Sequence, residues 1–394
     1  MEHVVYKNRK NTNSKKWDHQ TQMFGEENLH AMWIADMDFQ PPVCVSNAIE
    51  DYVRNGVLGY YGIPESYYDS FINWQKSYHS TNIQKEWLRF SPGVVPAINW
   101  IVQFMTERLE SVIVLTPVYY PFLEAVKNNE RTLITCDLID SNGYYTIDFN
   151  DFENKIVEND VKLFILCSPH NPVGRVWNHN ELNTLLSICK KHNVFVASDE
   201  IHQDFTFSDN VHISSANAGD FGDMLITLTA ATKTFNLAGC QNSFVIIQNE
   251  AIRKKYDEFT SRIRISSGNL LGYIAVEAAY TNGRAWLEEV KQIIYENYQY
   301  VKNSFSEYLP HVVVSPLEGT YLLWLNFKYY LDSSEIKQFM QHECKLAFDY
   351  GDWFGGNGDF GSCIRMNLAT SKESVDIAVQ EIIKNLQKKS NILI

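Results

Sequence analysis

Six short β-rich runs in the middle of the chain each carry consecutive apolar residues: SVIVLT (111–116), RTLITC (131–136), KLFILCS (162–168), NVFVASDE (193–200), MLITLT (224–229) and SFVIIQ (243–248). Uninterrupted β-rich runs of this length predict strands buried on both faces, since a half-solvated strand would alternate. Between them the period changes. Over 180–192, Leu182, Leu185, Leu186 and Cys189 recur at helical spacing, which predicts an amphipathic helix. Strands alternating with such helices imply an α/β fold with a parallel sheet covered on both sides. After Gly283 the texture shifts. A long charged helical segment, RAWLEEVKQIIYENYQYVKNSF, leads to β-like GTYLLWLNF and SCIRMNLA and to a final helix from about Ser371. The pattern divides the chain into a large α/β domain over 40–282 and a smaller α+β domain formed by residues 283–394 together with an N-terminal arm over 1–39.

In open α/β sheets, ligands sit beyond the carboxyl ends of the strands, so the residues just past each run are the informative ones. SVIVLT leads to Tyr119, with Pro121 suited to a first helical turn. KLFILCS leads to Asn171, which the following Pro172 keeps out of helical geometry. NVFVAS ends on Asp199, a carboxylate that is costly at the end of an apolar strand unless a cation meets it. MLITLT leads to Lys233, a lysine among small, hydroxyl and apolar neighbours. Taken singly, each has a bland reading as a turn residue, a core closure or a solvated charge. Four on one edge of one sheet indicate a site. Gly93, Val94 and Val95 precede a helical pattern, so their amides can meet an anion at a helix start or simply form an ordinary helix entry. Asp199 with His202 also invites a metal, but no second ligand cluster completes one.

The remaining features narrow the class. The chain has 394 residues, 45% hydrophobic, with a net charge of −13 and no basic run suited to tracking a phosphate backbone, which argues against nucleic acid as the main partner. Its seven cysteines are scattered and never spaced C-x-x-C, the opening stretch lacks a secretory apolar core, and no run is long enough to span a membrane. A cytoplasmic protein with reduced thiols is expected. GGNGDFG places Gly356, Gly358 and Gly361 in dinucleotide-fingerprint spacing, but that fingerprint needs a helix after it and the β-like SCIRMNLA follows. It reads as a flexible glycine loop.

SPHNPVGR, SDEIH and TKTFN, in that order, together with MWIADMDFQPP, GYYGIPESYY, SPGVVPAI, TPVYYPF and IRMNLA, resemble fold-type I pyridoxal-phosphate enzymes of the aminotransferase class I/II superfamily. WIADMDF and DEIH are similar to the PatB/MalY branch of cystathionine β-lyase-like carbon–sulfur lyases. The resemblance covers nearly the whole chain. It implies the PLP-dependent transferase fold, with a mostly parallel seven-stranded sheet in the large domain. It implies that Lys233 bonds the cofactor aldehyde, Asp199 pairs with the pyridine nitrogen, Asn171 bonds the ring oxygen and Tyr119 lies against the ring. Gly93, Val94, Val95 and the Thr232 hydroxyl would hold the phosphate, with Tyr60 reaching the phosphate of a neighbouring subunit in a homodimer that shares its sites. Arg365 would clamp the substrate carboxylate, aided by the Ala35 amide. Trp33 would be either an active-site wall or a clamp between arm and core. The chain departs from many aminotransferases at His202, where a tyrosine is common, and at Gln241, where an arginine faces the phosphate. Both departures suit the lyase branch.

The residue types match this chemistry. Removing a lysine from water favours its neutral form, a nucleophile and then a base for the substrate Cα proton. Arginine offers a planar fork for a carboxylate. Loss of the Cα proton opens two routes through the same lysine, aspartate and arginine. Return of the proton elsewhere gives transamination, whereas expulsion of a thiolate from Cβ gives β-elimination. The first expectation is therefore a cysteine-S-conjugate β-lyase acting on L-cystathionine or S-substituted L-cysteines to release a thiol, pyruvate and ammonia. Its rivals are an aminotransferase with a keto-acid acceptor and a regulatory protein that keeps the fold and cofactor.

Overall fold

The computed structural model describes residues 3–391 apart from 357 and 359. Its largest sheet has seven strands: β1 Leu88–Ser91, β2 Ser111–Thr116, β3 Thr132–Asp137, β4 Val161–Cys167, β5 Phe195–Asp199, β6 Leu225–Thr229 and β7 Ser243–Ile247. Their spatial order is β1-β7-β6-β5-β4-β2-β3. Neighbours are parallel except around β7, which runs against both β6 and β1. The mostly parallel seven-stranded sheet is thus present, and all six apolar runs are strands in it.

Two details differ from the apolar pattern. SFVIIQ is not one of the parallel strands, because only residues 230–242 separate β6 from β7. The turn carrying Lys233 occupies that stretch and leaves no length for a helical crossover. β1 has no apolar run because it is a short edge strand, whose Arg89 pairs with the exposed Asp257.

The helices longer than two turns are α1 Val43–Asn55, α2 Glu65–His79, α3 Val94–Met105, α4 Tyr120–Asn128, α5 Phe149–Glu158, α6 His179–Lys191, α7 Glu250–Ile263, α8 Leu270–Asn282, α9 Arg284–Tyr308 and α10 Lys372–Asn391. Alternation along β2 shows how they sandwich the sheet. Val112 and Val114 join a core with Ile98, Ile101 and Val102 of α3 and Ile252 of α7. Ile113 and Leu115 join the opposite core with Phe152 of α5 and Leu182, Leu185 and Leu186 of α6. The helical repeat read over 180–192 is the buried face of α6, whose start is closed by a capping box of Asn178 and Glu181.

A second sheet is antiparallel, with strands β8 Val313–Val314, β9 Leu322–Asn326, β10 Asp349–Tyr350 and β11 Cys363–Asn367 in the order β8-β9-β11-β10. It packs with α9, α10 and the N-terminal arm around a third core, which continues through α8 into α2. The arm is held firmly. His30–Ala31 pairs in parallel with Leu346–Ala347, and Lys16 forms a 2.7 Å ion pair with Asp38, both side chains fully buried. The Trp17 indole also donates to Asp38, at 2.9 Å.

The glycine loop runs from the turn Gly351–Phe354 into β11, so a strand rather than a helix follows it. Asn357 and Asp359 lie outside the described residues. None of the seven cysteines is in a disulfide among the described residues. Among the described residues, no helix is long and apolar enough to cross a membrane.

Candidate active site

The carboxyl ends of β1, β2, β4, β5 and β6 meet at a cavity of about 180 Å³. β1 leads through Pro92 to Gly93, the N-cap of α3. The amides of Val94 and Val95 open that helix without intrahelical acceptors, so they and the helix dipole favour an anion at this end of the cavity. β2 leads to Tyr119, the N-cap of α4, with Pro121 in the first turn.

Past β4, SPHNPVGR folds into a turn. The His170 amide donates to the Arg175 carbonyl at 2.8 Å, and the Asn171 carbonyl accepts the Tyr119 amide at 3.1 Å. Gly174 closes the turn at a φ of +75°, where a Cβ would stand 3.2 Å from the Pro316 carbonyl oxygen. Glycine lets the 316–319 segment pass, and its own carbonyl accepts the Gly319 amide at 2.8 Å.

β5 ends on Asp199 itself, which is buried and accepts the Ile201 amide at 3.0 Å. Burial pushes its carboxyl up to about 7, against the opposing pull of the Ile201 amide and Lys233, while neighbouring Glu200 adds to the rise. Past β6, the Lys233 amine donates to the Ala35 carbonyl. Burial brings this amine down from 10.5 to about 8; Asp36 opposes that change, Arg365 reinforces it and Asp199 opposes it. His202 also faces the cavity. Burial, then Lys233 and Arg365, hold its imidazole well below the ordinary range, so the ring is neutral.

The cavity therefore brings together Gly93, Val94, Val95, Tyr119 and Asn171 from one side and Asp199, His202, Thr232, Lys233 and Ala35 from the other. Three expected residues stand elsewhere. Arg365 is not among the described residues lining the cavity; it stands behind Asn171, with Nη1 donating to the Asn171 Oδ1 at 2.8 Å. Tyr60 is fully exposed on the segment before α2, away from its own chain's cavity. Trp33, expected as either a wall or a clamp, is not among the described residues lining the cavity. Its indole donates to the Lys16 carbonyl at 2.9 Å and its ring meets Phe24 edge-on at 5.0 Å, so it clamps the arm and leaves the cavity wall to Ala35.

Pattern reading missed the residues behind the wall. Asp204 is buried and accepts from Thr234 Oγ1 (2.6 Å), His79 Nε2 (2.8 Å) and Trp74 Nε1 (2.9 Å), tying the turn of Lys233 to α2. Glu200, next to Asp199, accepts the Ser215 amide at 2.8 Å and the Ser198 hydroxyl at 3.0 Å. Tyr321 donates to the same Ala35 carbonyl as Lys233, at 3.0 Å. A second acidic residue in SDEIHQD was the one available signal for this layer, and it is a weak one without the fold.

The donor set fits pyridoxal phosphate. A helix start offers free amides for a phosphate, a buried amine stands ready for an aldehyde, and a buried carboxylate whose charge is disfavoured would gain from a cationic ring nitrogen.

Comparison with known proteins agrees with this fit. The family described as aminotransferase class I and II matches residues 37–382. Cystathionine beta-lyase PatB of Bacillus subtilis (strain 168) is 35% identical over 94% of this chain and 96% of its own. Cystalysin from Treponema denticola, whose crystal structure contains a pyridoxal 5'-phosphate cofactor, superposes with a TM-score of 0.93 at 35% identity, covering 98% of each chain. The PLP-bound C-S lyase from Staphylococcus hominis gives 0.91 at 33% identity, covering 97% of each chain.

Proposed function

Because the chain belongs to the aminotransferase class I and II family, we propose that it is a pyridoxal-phosphate-dependent carbon–sulfur β-lyase. Its substrate is L-cystathionine or another S-substituted L-cysteine, and its products are a thiol, pyruvate and ammonia. The observation that carries this reading is an amine brought down to about 8 and a carboxylate pushed up to about 7 on the walls of one cavity. The lyase names of relatives at similar length support the carbon–sulfur bond as the one that breaks.

When bound, pyridoxal phosphate supplies an aldehyde for amine exchange and a ring that draws electrons away from the substrate Cα. The Val94 and Val95 amides and the Thr232 hydroxyl hold the phosphate. Asp199 would hold a proton at the ring nitrogen, a partner that would favour its charged form. Asn171 and Tyr119 fix the ring's position. Arg365 and the Ala35 amide orient the substrate carboxylate, so that the Cα–H bond faces Lys233. The Lys233 amine takes the Cα proton, a thiolate leaves Cβ with its bonding electrons, and water completes release of pyruvate and ammonia.

The same lysine, aspartate and arginine would serve transamination. Thiol and pyruvate release from cystathionine and S-alkyl-cysteines, measured without added keto acid, is expected; strict keto-acid dependence would select the aminotransferase instead. The working unit is a homodimer, with exposed Val57, Leu58 and Tyr60 meeting a second copy. Light scattering at twice the chain mass checks that part. Residues 40–282 and 283–394, the latter with the arm, act as the large and small domains.

A further inference from the structure

Arg365 and Asp349 face each other in register on the adjacent antiparallel strands β11 and β10. The Arg365 Nη2 is ion-paired with Asp349 Oδ2, and the two side chains are only 2% and 1% exposed. Nη1 is engaged with Asn171, and Phe354 lies under the guanidinium at 5.1 Å. Nε of the arginine and Oδ1 of the aspartate are buried without a hydrogen-bond partner among the described residues. The cation that would receive a substrate carboxylate thus already faces a full negative charge from its own chain.

That charge has nowhere to go. Asp349 sits on a paired strand just before the turn Gly351–Phe354, whose Phe354 carbonyl accepts the Val118 amide at 3.0 Å. Both neighbouring segments are therefore fixed, and a carboxylate this deep cannot turn towards bulk solvent. When a substrate carboxylate arrives, two anions share one guanidinium, and in a poorly polarisable interior their repulsion is scarcely screened.

We propose that Asp349 is a specificity-determining residue of the carboxylate clamp: it neutralises Arg365 and thereby weakens the hold on the α-carboxylate of amino acid and keto-acid product alike. This rests on Arg365 acting as the clamp in the reaction proposed above. A clamp of low net charge lets a small keto acid depart readily, and it penalises dicarboxylic ligands, which bring a further negative charge. Asp349 sets affinity through Arg365 rather than by touching the reacting atoms.

The test uses the cofactor-loaded enzyme and glycine, which has an α-carboxylate but no Cβ to eliminate from. Binding is followed by the change in visible absorbance. Asp349→Asn keeps the size and one acceptor oxygen for Arg365 but removes the charge, so the Kd for glycine is expected to fall tenfold or more. The Kd for glycine methyl ester, which has no carboxylate, stays within twofold. Asp349→Glu, which keeps the charge, does not show the tightening. With an S-substituted cysteine, KM falls more than kcat changes in Asp349→Asn.

An unchanged or weaker glycine Kd in Asp349→Asn, or an equal change with the ester, overturns the proposal. If Asp349→Asn does not fold, the unaltered enzyme decides. A preference for glycine over its ester of less than tenfold supports a neutralised clamp, and tenfold or more overturns it. Glycine binding reads the clamp whichever reaction follows, whereas thiol release reads the lyase activity, so failure of one is distinguishable from failure of the other.

Discussion

Burial disfavours the charged forms of both Asp199 and Lys233, and the protein's response to pH follows from that. In cofactor-free protein, Asp199 titrates at about 7 when folded, against an ordinary 3.8. Between those values the folded chain binds the extra proton, so stability falls as pH rises from about 4 to about 7. The fall is roughly 1.4 kcal/mol for each pH unit that separates the folded and unfolded midpoints. Lys233 has the opposite sign: its amine titrates at about 8 when folded and 10.5 ordinarily, so the unfolded chain holds the extra proton and stability rises across that window. Urea unfolding of cofactor-free Asp199→Asn is expected to show a flatter stability profile between pH 4 and 7 than the parent. An unchanged slope would place the strain elsewhere. These two residues could be read from sequence because a lone charge beside apolar strand residues is conspicuous. Asp349 and Asp204 could not be, since each matters through a partner brought near only by folding: Arg365 across a strand pair, Thr234 on the segment that follows the neighbouring strand.

At the scale of elements, continuous apolar strands and the 3.6-residue repeat of α6 were visible because burial on both faces of a sheet leaves few polar positions to confuse the period. Strand direction was not. Nothing within SFVIIQ reports its reversal; the short link from β6 dictates it. The start of α6 is a simple element to challenge. Asn178 accepts the Glu181 amide at 3.0 Å, and the Glu181 side chain returns to the Asn178 amide at 2.8 Å. Glu181 also meets Arg175, which bridges to Glu318. Asn178→Ala is expected to cost about 1 kcal/mol, measured by denaturant unfolding, with the glycine Kd of the loaded enzyme unchanged. A loss several times larger would mean that the cap also holds the Arg175 bridge to Glu318.

Across the whole molecule, the arm is the part the sequence revealed least. Its opening stretch is polar, yet Lys16 and Asp38 are fully buried beside the third core and Trp33 is tied to the Lys16 carbonyl. Buried opposite charges at such separation in sequence leave no periodic trace. Lys16→Met leaves the buried Asp38 carboxylate with the Trp17 indole and a 3.8 Å approach of Arg9 and is expected to cost about 3 kcal/mol, with much of the loss recovered in Lys16→Met/Asp38→Leu, because replacing both members removes the undercompensated charge. Thermal unfolding of the two variants side by side checks this, and equal losses in both would show that packing rather than charge is at stake.

Five strand ends, drawn from segments scattered between residues 88 and 233, are needed to build one cavity. No half of the sheet has a place to bind the vitamin-derived chromophore, so its optical activity and assembly are coupled. A refolding solution should gain a visible circular dichroism band from the cofactor only after the backbone signal of the central strands has matured, which gives the molecule an optical gauge of its own completeness.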